Sequence, residues 1–543
     1  MNLSHPRAAS PPPDRRPGRV RYGLIVPLLS ALLLLPDLGR APVRREKELR
    51  VVLTARDMDQ TGRWIEPHYK GEPRLRKPPL MYWLVGGLYR LGAPVTSAGW
   101  SRLPSAVAGI AFTSLLYGLG RWLVGRRRAF TAAAVAMVSL VVLEQGRLAE
   151  TDMGLALFTA GAALAGALAL RGRDSRWWVA ALGCAGIGFL FKGPAAVSLP
   201  PLAWLALAWW QRGRVQAPFR SPHFCLGLAL CVGLIVPWYV AVAHLARAAT
   251  GGQVQAELSA LLATSRHQAS IFYYTYATVQ ALAPWGVLLP VALVYGGRVG
   301  RGRAGWGFPL VWFVTSVATL SCLSSKQFHY TTLLVAPAAL LISLTLHGRL
   351  GWVRRWSAWV ARALALLLLA CALAVAVAWV LRGDLGGRAL AVLSAAAAVV
   401  LAVGLRQREP SITLAPYLAA ALAVLLPAGV RLIPPRWVRG DAVRSVMQRA
   451  EALAPGAGPV VLAGRLHTEA SFYAERPVML IDSIAQAWEA AAPGTLLVLT
   501  AHAHDHAQLA RASAQPLCTA SDQWTSATAY WVRNAGPSAA AGR

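Results

Sequence analysis

The lysines of this 543-residue chain are few and unevenly placed, which makes them the first candidates for chemistry. There are only five, and arginine occupies nearly every other basic position: Lys47, Lys70, Lys77, Lys192 and Lys326. Three of them lie beside long apolar runs. A compact ammonium group binds phosphate oxygens as a point charge, so these lysines indicate an anion site. The alternatives are chance, snorkelling at a helix end and, for Lys192, a C-terminal helix cap before Gly-Pro.

A carboxylate near the start of another apolar run is the best candidate for proton chemistry. Asp152 follows Glu150 and Thr151 at the start of that run. It could act as a general base or orient an acceptor at the outer end of a helix bundle. The alternative is structural: Thr151 would cap the helix and Asp152 would interact favourably with the helix dipole.

The composition indicates that a membrane positions these residues. The chain is 56% hydrophobic and 14% charged, with a mean hydropathy of +0.46, whereas soluble domains carry about 25% charged residues. Its net charge of +31 comes from arginines in short loops between apolar runs. That distribution fits the positive-inside rule and excludes a nucleic-acid partner. The six cysteines and eleven histidines form no recognisable redox or metal-binding motif.

Apolar runs near the length of a bilayer recur along the chain and predict about 13 transmembrane helices. The predicted spans are 22–37, 101–123, 129–147, 152–170, 177–191, 194–210, 223–245, 281–296, 306–324, 328–346, 358–381, 387–405 and 412–432. The first run lacks a signal-peptidase site and is interpreted as a retained helix.

Arginine-rich loops on alternate connections give this bundle an orientation. They place the N-terminus in the cytoplasm, and the odd number of spans places everything after about residue 436 outside. The predicted domains are a disordered basic tail at 1–21, a transmembrane domain at 22–436 and an extracytoplasmic α/β domain at 437–543. Long loops at 38–100 and 246–280 also fall outside. The first loop contains two helices predicted to lie on the membrane surface, Glu46–Thr61 and Pro78–Leu91.

The C-terminal segment alternates between short apolar runs and helix-like stretches, which predicts a small α/β domain. The strands are expected at 460–463, 478–481 and 496–500, and the helices at 467–475, 482–491 and 503–513. No glycine-rich phosphate loop follows the first strand.

Five motifs in order over roughly residues 45–345 carry a family resemblance. They are Ala55–Trp83 with its Lys-Pro-Pro, Ser101–Ser105, Gly146–Asp152, Phe191–Pro194 and Ser325–Tyr330. Together they resemble polyprenyl-phosphate-dependent glycosyltransferases of families 39 and 83, which include the lipid A aminoarabinose transferase and protein mannosyltransferases.

The resemblance implies a membrane glycosyltransferase of the C-type fold in the cytoplasmic membrane. Such an enzyme moves a sugar from a polyprenyl (undecaprenyl) phosphate carrier to a lipid, glycan or protein acceptor on the outer face. It implies catalytic roles for Glu48 and Asp152. The residues expected to bind the donor phosphate are Lys77, Lys192, Lys326 and Arg102. Further acceptor or sugar contacts are expected from Glu46, Arg56, Tyr82, Glu150, His329 and Tyr330.

The chain departs from the family at one important position. Members often carry an Asp-Glu pair where this chain has Lys47-Glu48, which makes Glu48 the natural substitute and Glu46 a second candidate. No metal site is predicted, although two carboxylates could hold a divalent ion. A transporter or lipid flippase, and an inactive scaffold of the same fold, are the competing interpretations.

Overall fold

The structure is a computed structural model. It describes residues 22–75, 77–211, 221–249, 269–300, 304–323, 326–348, 351–382, 385–406 and shorter stretches between 416 and 531. The predicted tail, most of the loop 246–280, about half of the span 412–432, most of the helix-like stretch 482–491 and all of the stretch 503–513 lie outside these residues.

Helices make up nearly all of the described chain up to residue 406. Helices α1 to α8 are Tyr22–Leu34, Glu46–Thr61, Leu80–Arg90, Ala98–Val124, Arg126–Met137, Leu140–Gln145, Asp152–Leu170 and Trp177–Lys192. Helices α9 to α16 are Ala195–Gln211, Pro222–Ala249, Tyr273–Ala281, Leu289–Gly300, Ala304–Ser321, Thr332–Leu346, Gly351–Arg382 and Leu385–Leu405. Short 3-10 turns at Trp285–Leu288 and Phe328–Thr331 precede α12 and α14.

Many of these helices are apolar enough for a bilayer. Within the described residues, five segments are also long enough to cross one: Ala98–Val124, Asp152–Leu170, Pro222–His244, Phe328–Leu346 and Gly351–Leu381. Five shorter apolar helices accompany them: Tyr22–Leu34, Trp177–Lys192, Trp285–Gly300, Gly305–Ser321 and Ala391–Leu405. The chain is therefore a multi-pass membrane protein, and the count of 13 spans stays a prediction.

Two predicted spans differ in the structure. The span 129–147 is divided between α5 and α6, because Ser139 is extended and the Leu140 N–H bonds the Ala283 carbonyl at 3.1 Å. The span 281–296 begins later than predicted, since α11 ends at Ala281 and a 3-10 turn intervenes before α12. Hydropathy responds to composition and does not detect such local breaks.

The first long loop contains the two predicted helices, α2 and α3. Leu49, Val52, Ala55 and Met58 recur every three residues along α2 and are buried, so they give the helix one apolar face. The helix ends at Gly62, whose φ of 73° is left-handed and whose N–H bonds the Met58 carbonyl. The bounds of α2 agree with the predicted Glu46–Thr61.

A five-stranded sheet with two helices forms the C-terminal part. Strands β1 and β2 are a short hairpin in the first loop, at His68–Tyr69 and Glu72–Pro73; strands β3 to β7 are Val460–Gly464, Val478–Ile481, Leu496–His502, Cys518–Ser521 and Thr525–Trp531. The sheet order is β4-β3-β5-β7-β6, parallel for β4-β3-β5 and antiparallel for the rest. Helices α17 and α18 are Asp441–Leu453 and His467–Tyr473.

Candidate active site

Asp152 and Lys192 form the centre of the site. Asp152 is the first residue of α7 and Lys192 the last residue of α8; since these neighbours run antiparallel, the two residues meet at one end of the bundle. Lys192 Nζ donates to Asp152 Oδ1 at 2.5 Å, and the side chains are only 11% and 4% exposed. Thr151 makes no side-chain cap bond, so its predicted capping role is not observed.

Glycines allow these two helices to bring the pair together. Gly193 ends α8 with a φ of 97°, a conformation that glycine adopts at no steric cost. Gly154 lies half a turn after Asp152 and faces α8. A Cβ at Gly154 would lie 2.3 Å from the Phe191 ring, so only glycine permits this approach of α7 to α8.

The 3-10 turn before α14 adds an aromatic pair to the site. His329 Nε2 lies 3.8 Å from Asp152 Oδ1, and Lys192 Nζ lies 4.7 Å from the centroid of the Tyr330 ring. His329 is buried. Four residues predicted from the sequence, Asp152, Lys192, His329 and Tyr330, are therefore brought together.

Lys47 joins this cluster although it was not predicted as a site residue. Its Nζ donates to Gln327 Oε1 at 2.6 Å and lies 3.1 Å from His329 Nδ1. Burial, followed by the positive charge of Lys192, lowers the pKa of Lys47. Two signals in the sequence could have identified it: the scarcity of lysine and its position beside Glu48 in the first loop.

Lys77 and Glu150 lie close enough to Lys192 and Asp152 for those charges to shift their pKa values. Burial, then Lys192, lowers the pKa of Lys77 to about 7. Burial, then the negative charge of Asp152, raises the pKa of Glu150 to about 6. Both groups therefore titrate near neutral pH, which is characteristic of functional sites.

Glu48 and Arg102 form a separate buried ion pair. Arg102 donates to both Glu48 oxygens, at 2.7 and 3.0 Å, and to three first-loop carbonyls, those of Leu38, Ala41 and Pro42. These contacts use all five guanidinium N–H groups. Glu48 also accepts the Ala149 N–H at 3.0 Å. The two side chains are 1% and 2% exposed, so the pair fastens α2 to α4 and to the loop before Asp152.

The described contacts of four other predicted residues lie elsewhere. Glu46 pairs with Arg50 on the exposed side of α2, and Arg56 donates to the Ser471 carbonyl. Tyr82 accepts a bond from Arg74, and Lys326 donates to the Leu323 carbonyl at 2.9 Å.

An apolar cavity of about 190 Å³ opens beside the central pair. Lys192 and Tyr330 line it, together with aliphatic residues of α7, α9, α13 and α14: Leu155, Leu199, Leu320 and Leu333. The charged Lys192 thus adjoins an apolar cavity, and an amphiphilic ligand requires both kinds of surface.

Comparisons with known proteins agree with this geometry. Residues 76–241, which include Lys77, Asp152 and Lys192, match the profile of the dolichyl-phosphate-mannose-protein mannosyltransferase family. The undecaprenyl phosphate-alpha-4-amino-4-deoxy-L-arabinose arabinosyl transferase of Pectobacterium atrosepticum is 28% identical over 360 residues, 62% of this chain and 61% of that protein. A namesake from Sodalis glossinidius is 28% identical over 59% of this chain and 56% of its own length. The chain thus spans about three fifths of the relatives that it matches.

The overall structure extends the similarity. ArnT from Cupriavidus metallidurans bound to undecaprenyl phosphate superposes with a TM-score of 0.69 at 21% identity, covering 95% of this chain and 98% of that one. The chain has the ArnT fold. The apo form of the Cupriavidus metallidurans ArnT gives a TM-score of 0.67 at 20% identity, covering 93% of this chain and 97% of that one. The resemblance to polyprenyl-phosphate-dependent membrane glycosyltransferases is confirmed, and with it the helical membrane fold.

Within this ArnT fold, the described residues give little support for a divalent ion. They contain no group of three or more His, Cys, Asp or Glu side chains arranged to hold a metal. Asp152, the carboxylate best placed for one, is paired with the Lys192 ammonium group at 2.5 Å.

Proposed function

We propose that this chain transfers a sugar from an undecaprenyl phosphate carrier to an acceptor at the outer face of the cytoplasmic membrane. The observation that carries the proposal is the Asp152–Lys192 pair beside an apolar cavity. The relatives are named for arabinosyl transfer involving undecaprenyl phosphate, which supports the same chemistry.

The donor would bind with its phosphate at the lysines and its isoprenoid chain toward the cavity. Lys192 lies between Asp152 and the Tyr330 ring, and Lys77 is half-buried nearby. Both ammonium groups can stabilise the negative charge that grows on the departing phosphate. Such preorganised charges act strongly in a water-poor site.

Asp152 is the proposed acceptor-orienting group and, for a hydroxyl acceptor, the base. Among the described residues, both of its partners contact Oδ1, which leaves Oδ2 to face the acceptor. The acceptor oxygen forms a bond to sugar C1 as the bond from C1 to the phosphate oxygen breaks, with inversion. The electron pair goes to the phosphate, and the proton of a hydroxyl acceptor goes to Asp152.

Glu48 and Arg102 receive a positioning role in this proposal. Their hydrogen bonds are satisfied by each other, by first-loop carbonyls and by the Ala149 N–H, so neither presents an available donor or base to a ligand. We propose that they hold α2 and residues 149–152 in register, and that Asp152 carries the proton chemistry expected of Glu48. Glu46, Arg56, Tyr82 and Lys326 are not included in the proposed reaction centre.

The proposed topology has the N-terminus in the cytoplasm and residues 437–543 outside, after a transmembrane domain at 22–436. A direct contact supports the outer placement of the C-terminal part with the first loop. The Tyr473 hydroxyl accepts the Val43 N–H at 2.8 Å, and segments in contact must lie on the same side of a membrane.

The test is transfer of radiolabelled sugar from undecaprenyl phosphate by purified protein in liposomes. We expect Asp152→Asn and Lys192→Met each to lower the rate roughly 10²- to 10³-fold. Each variant leaves a buried partner unpaired, so thermal unfolding must accompany the assay, and the double variant D152N/K192M serves as the charge-balanced comparison. Asp174→Asn is the matched control, because Asp174 lies in the loop at the opposite end of α7 and α8.

Two results would contradict the proposal. One is transfer at the wild-type rate by both folded variants; the other is no transfer by wild-type protein with any polyprenyl phosphate sugar. The second result, combined with movement of unmodified carrier across the bilayer, would favour the flippase interpretation.

A further inference from the structure

A chain of three side chains crosses the site from α2 to α7. Lys47 Nζ lies 3.1 Å from His329 Nδ1, and His329 Nε2 lies 3.8 Å from Asp152 Oδ1. The second ring nitrogen of His329 thus faces the carboxylate to which the proposed function gives the acceptor. Lys47 itself is held in place by Gln327, whose Oε1 accepts at 2.6 Å.

The hydrogen-bond chemistry of Lys47 decides which tautomer of the His329 imidazole is favoured. An ammonium group has three donors and no acceptor, so beside Lys47 the Nδ1 atom must accept. A neutral imidazole with Nδ1 accepting carries its proton on Nε2. That N–H then faces Asp152 Oδ1 across 3.8 Å, beyond hydrogen-bond length, and places a positive dipole on the same oxygen as Lys192.

We propose that Lys47 is a positioning residue of the transfer site, which acts by fixing His329 in the Nε2–H tautomer and thereby orienting the Asp152 carboxylate. The inference rests on the proposed function for its catalytic meaning, and on the contacts alone for the tautomer. Asp152, with Oδ1 held from two sides, then presents Oδ2 in one orientation.

Charges from every neighbouring element face this chain of residues. Lys47 is faced by Lys192, Glu150, Asp152 and Arg45, and His329 by Asp152, Lys192, Lys47 and Lys77. Burial is the largest cause that disfavours a second proton on the imidazole of His329, and the three surrounding lysines disfavour it further, whereas the single close carboxylate favours it. Removing the nearest positive charge, Lys47, frees Nδ1 to take up a proton.

Lysine stands at position 47, where the resembling family often has aspartate. A carboxylate beside Nδ1 would accept a proton from it and leave Nε2 bare. A bare Nε2 and Asp152 Oδ1 would then face each other with two lone pairs. We therefore expect Lys47→Asp, which introduces the residue common in the family, to disrupt the arrangement of residue 47, His329 and Asp152 rather than improve it.

The tautomer is tested by 15N NMR of histidine-labelled protein in nanodiscs, with His329 assigned by its loss in His329→Gln. Protonated and bare ring nitrogens have well-separated shifts. We expect Nε2–H and bare Nδ1 in wild-type protein and in Lys47→Arg, which retains a donor. Lys47→Met should give mixed or doubly protonated imidazole, and the exposed Lys70→Met should match wild type. An Nδ1–H tautomer in wild-type protein, or a spectrum unchanged in Lys47→Met, would overturn the proposal.

The kinetic test is the pH dependence of sugar transfer by the same variants. We expect Lys47→Met to lower kcat by about a hundredfold, the low end of what a positioned proton-transfer group contributes. Its KM for the donor should change little, and its rate profile should show a His329 titration at a higher pH than in wild-type protein, because one of the charges that oppose protonation of the imidazole is gone. Lys47→Arg should restore most of the rate without this shift.

An unchanged profile with normal kcat in Lys47→Met would refute the positioning role. If wild-type protein transfers no sugar at all, the proposed function fails, but the NMR measurement still decides whether Lys47 sets the tautomer. The two failures are therefore distinguishable.

Discussion

At the scale of single residues, the site contains two lysines in different electrostatic surroundings. Lys192 is paired with a carboxylate at 2.5 Å, whereas burial and the charge of Lys192 lower the pKa of Lys77 to about 7. The two lysines expected to meet the donor phosphate therefore differ. Lys192 is bound to the Asp152 carboxylate, whereas Lys77 loses its proton near neutral pH.

This difference predicts a pH-dependent donor affinity. A phosphodiester stays singly negative across the neutral range, so binding favours the protonated form of Lys77. As pH rises through about 7, the free enzyme loses that charge, and KM should rise up to roughly tenfold per pH unit. Steady-state kinetics between pH 6.5 and 9 measure it.

Lys77→Arg is the decisive comparison for this pH effect, because a guanidinium stays charged throughout the range. Its KM should be flat with pH. Glu150, whose pKa is raised to about 6, is already ionised over most of that range and does not produce the trend. A wild-type KM that is independent of pH would show that Lys77 does not contact the donor.

At the scale of elements, the packing of α7 against α8 sets the distance between Asp152 and Lys192. The Phe191 ring occupies the space where residue 154 would carry a side chain. It also stacks on Phe158, with ring centroids 5.7 Å apart, so it has little room to move. The spacing of the polar pair therefore depends on the adjacent apolar contact between Gly154 and Phe191.

We expect Gly154→Ala to reduce transfer although it alters no polar group. The added methyl must push α8 or the Phe191 ring aside, and a displacement of about 1 Å in a catalytic site can cost roughly 10²-fold in rate. The control is Gly118→Ala on α4, where an added Cβ meets nothing within 4 Å. Equal rates for the two variants, measured with both folded, would disprove the spacing argument.

At the scale of the whole molecule, the C-terminal part is attached to the first loop. Arg431 makes two bonds to Asp37, at 2.7 and 3.0 Å. Lys70 donates to Thr468 at 2.8 Å, and Arg56 to the Ser471 carbonyl at 3.2 Å. We therefore expect an even number of crossings between the first loop and residues 467–473, and if α1 also crosses the membrane, the predicted total is odd.

This parity predicts the location of the C-terminus. A protease tag after Arg543 should be cleaved in intact spheroplasts by a protease that cannot cross the membrane, whereas the same tag before Met1 should be cleaved only after lysis. The arginine distribution sets this direction. Cleavage of both tags, or of neither, would contradict the odd count of spans.

The sequence by itself determined the features that depend on local pattern. The bounds of α2 follow from its amphipathic pattern, in which apolar residues recur every three positions up to Met58, and the helix ends before Gly62. The predicted strands at 460–463, 478–481 and 496–500 lie within β3, β4 and β5. Asp152 and Lys192 could be anticipated because each stands at the end of an apolar run, where a polar group reaches the membrane boundary.

Only the tertiary structure decided which polar side chains meet around Asp152 and Lys192 and which of them pair elsewhere. Lys47 meets Gln327 across 280 residues, and Glu48 meets Arg102 across 54. Adjacent residues on a helix point about 100° apart, so Lys47 turns toward the site while Glu48 turns into a buried pair. A buried guanidinium must satisfy all its donors. Arg102 does so through Glu48 and the first-loop carbonyls, and this pairing is the basis of the positioning role proposed for Glu48.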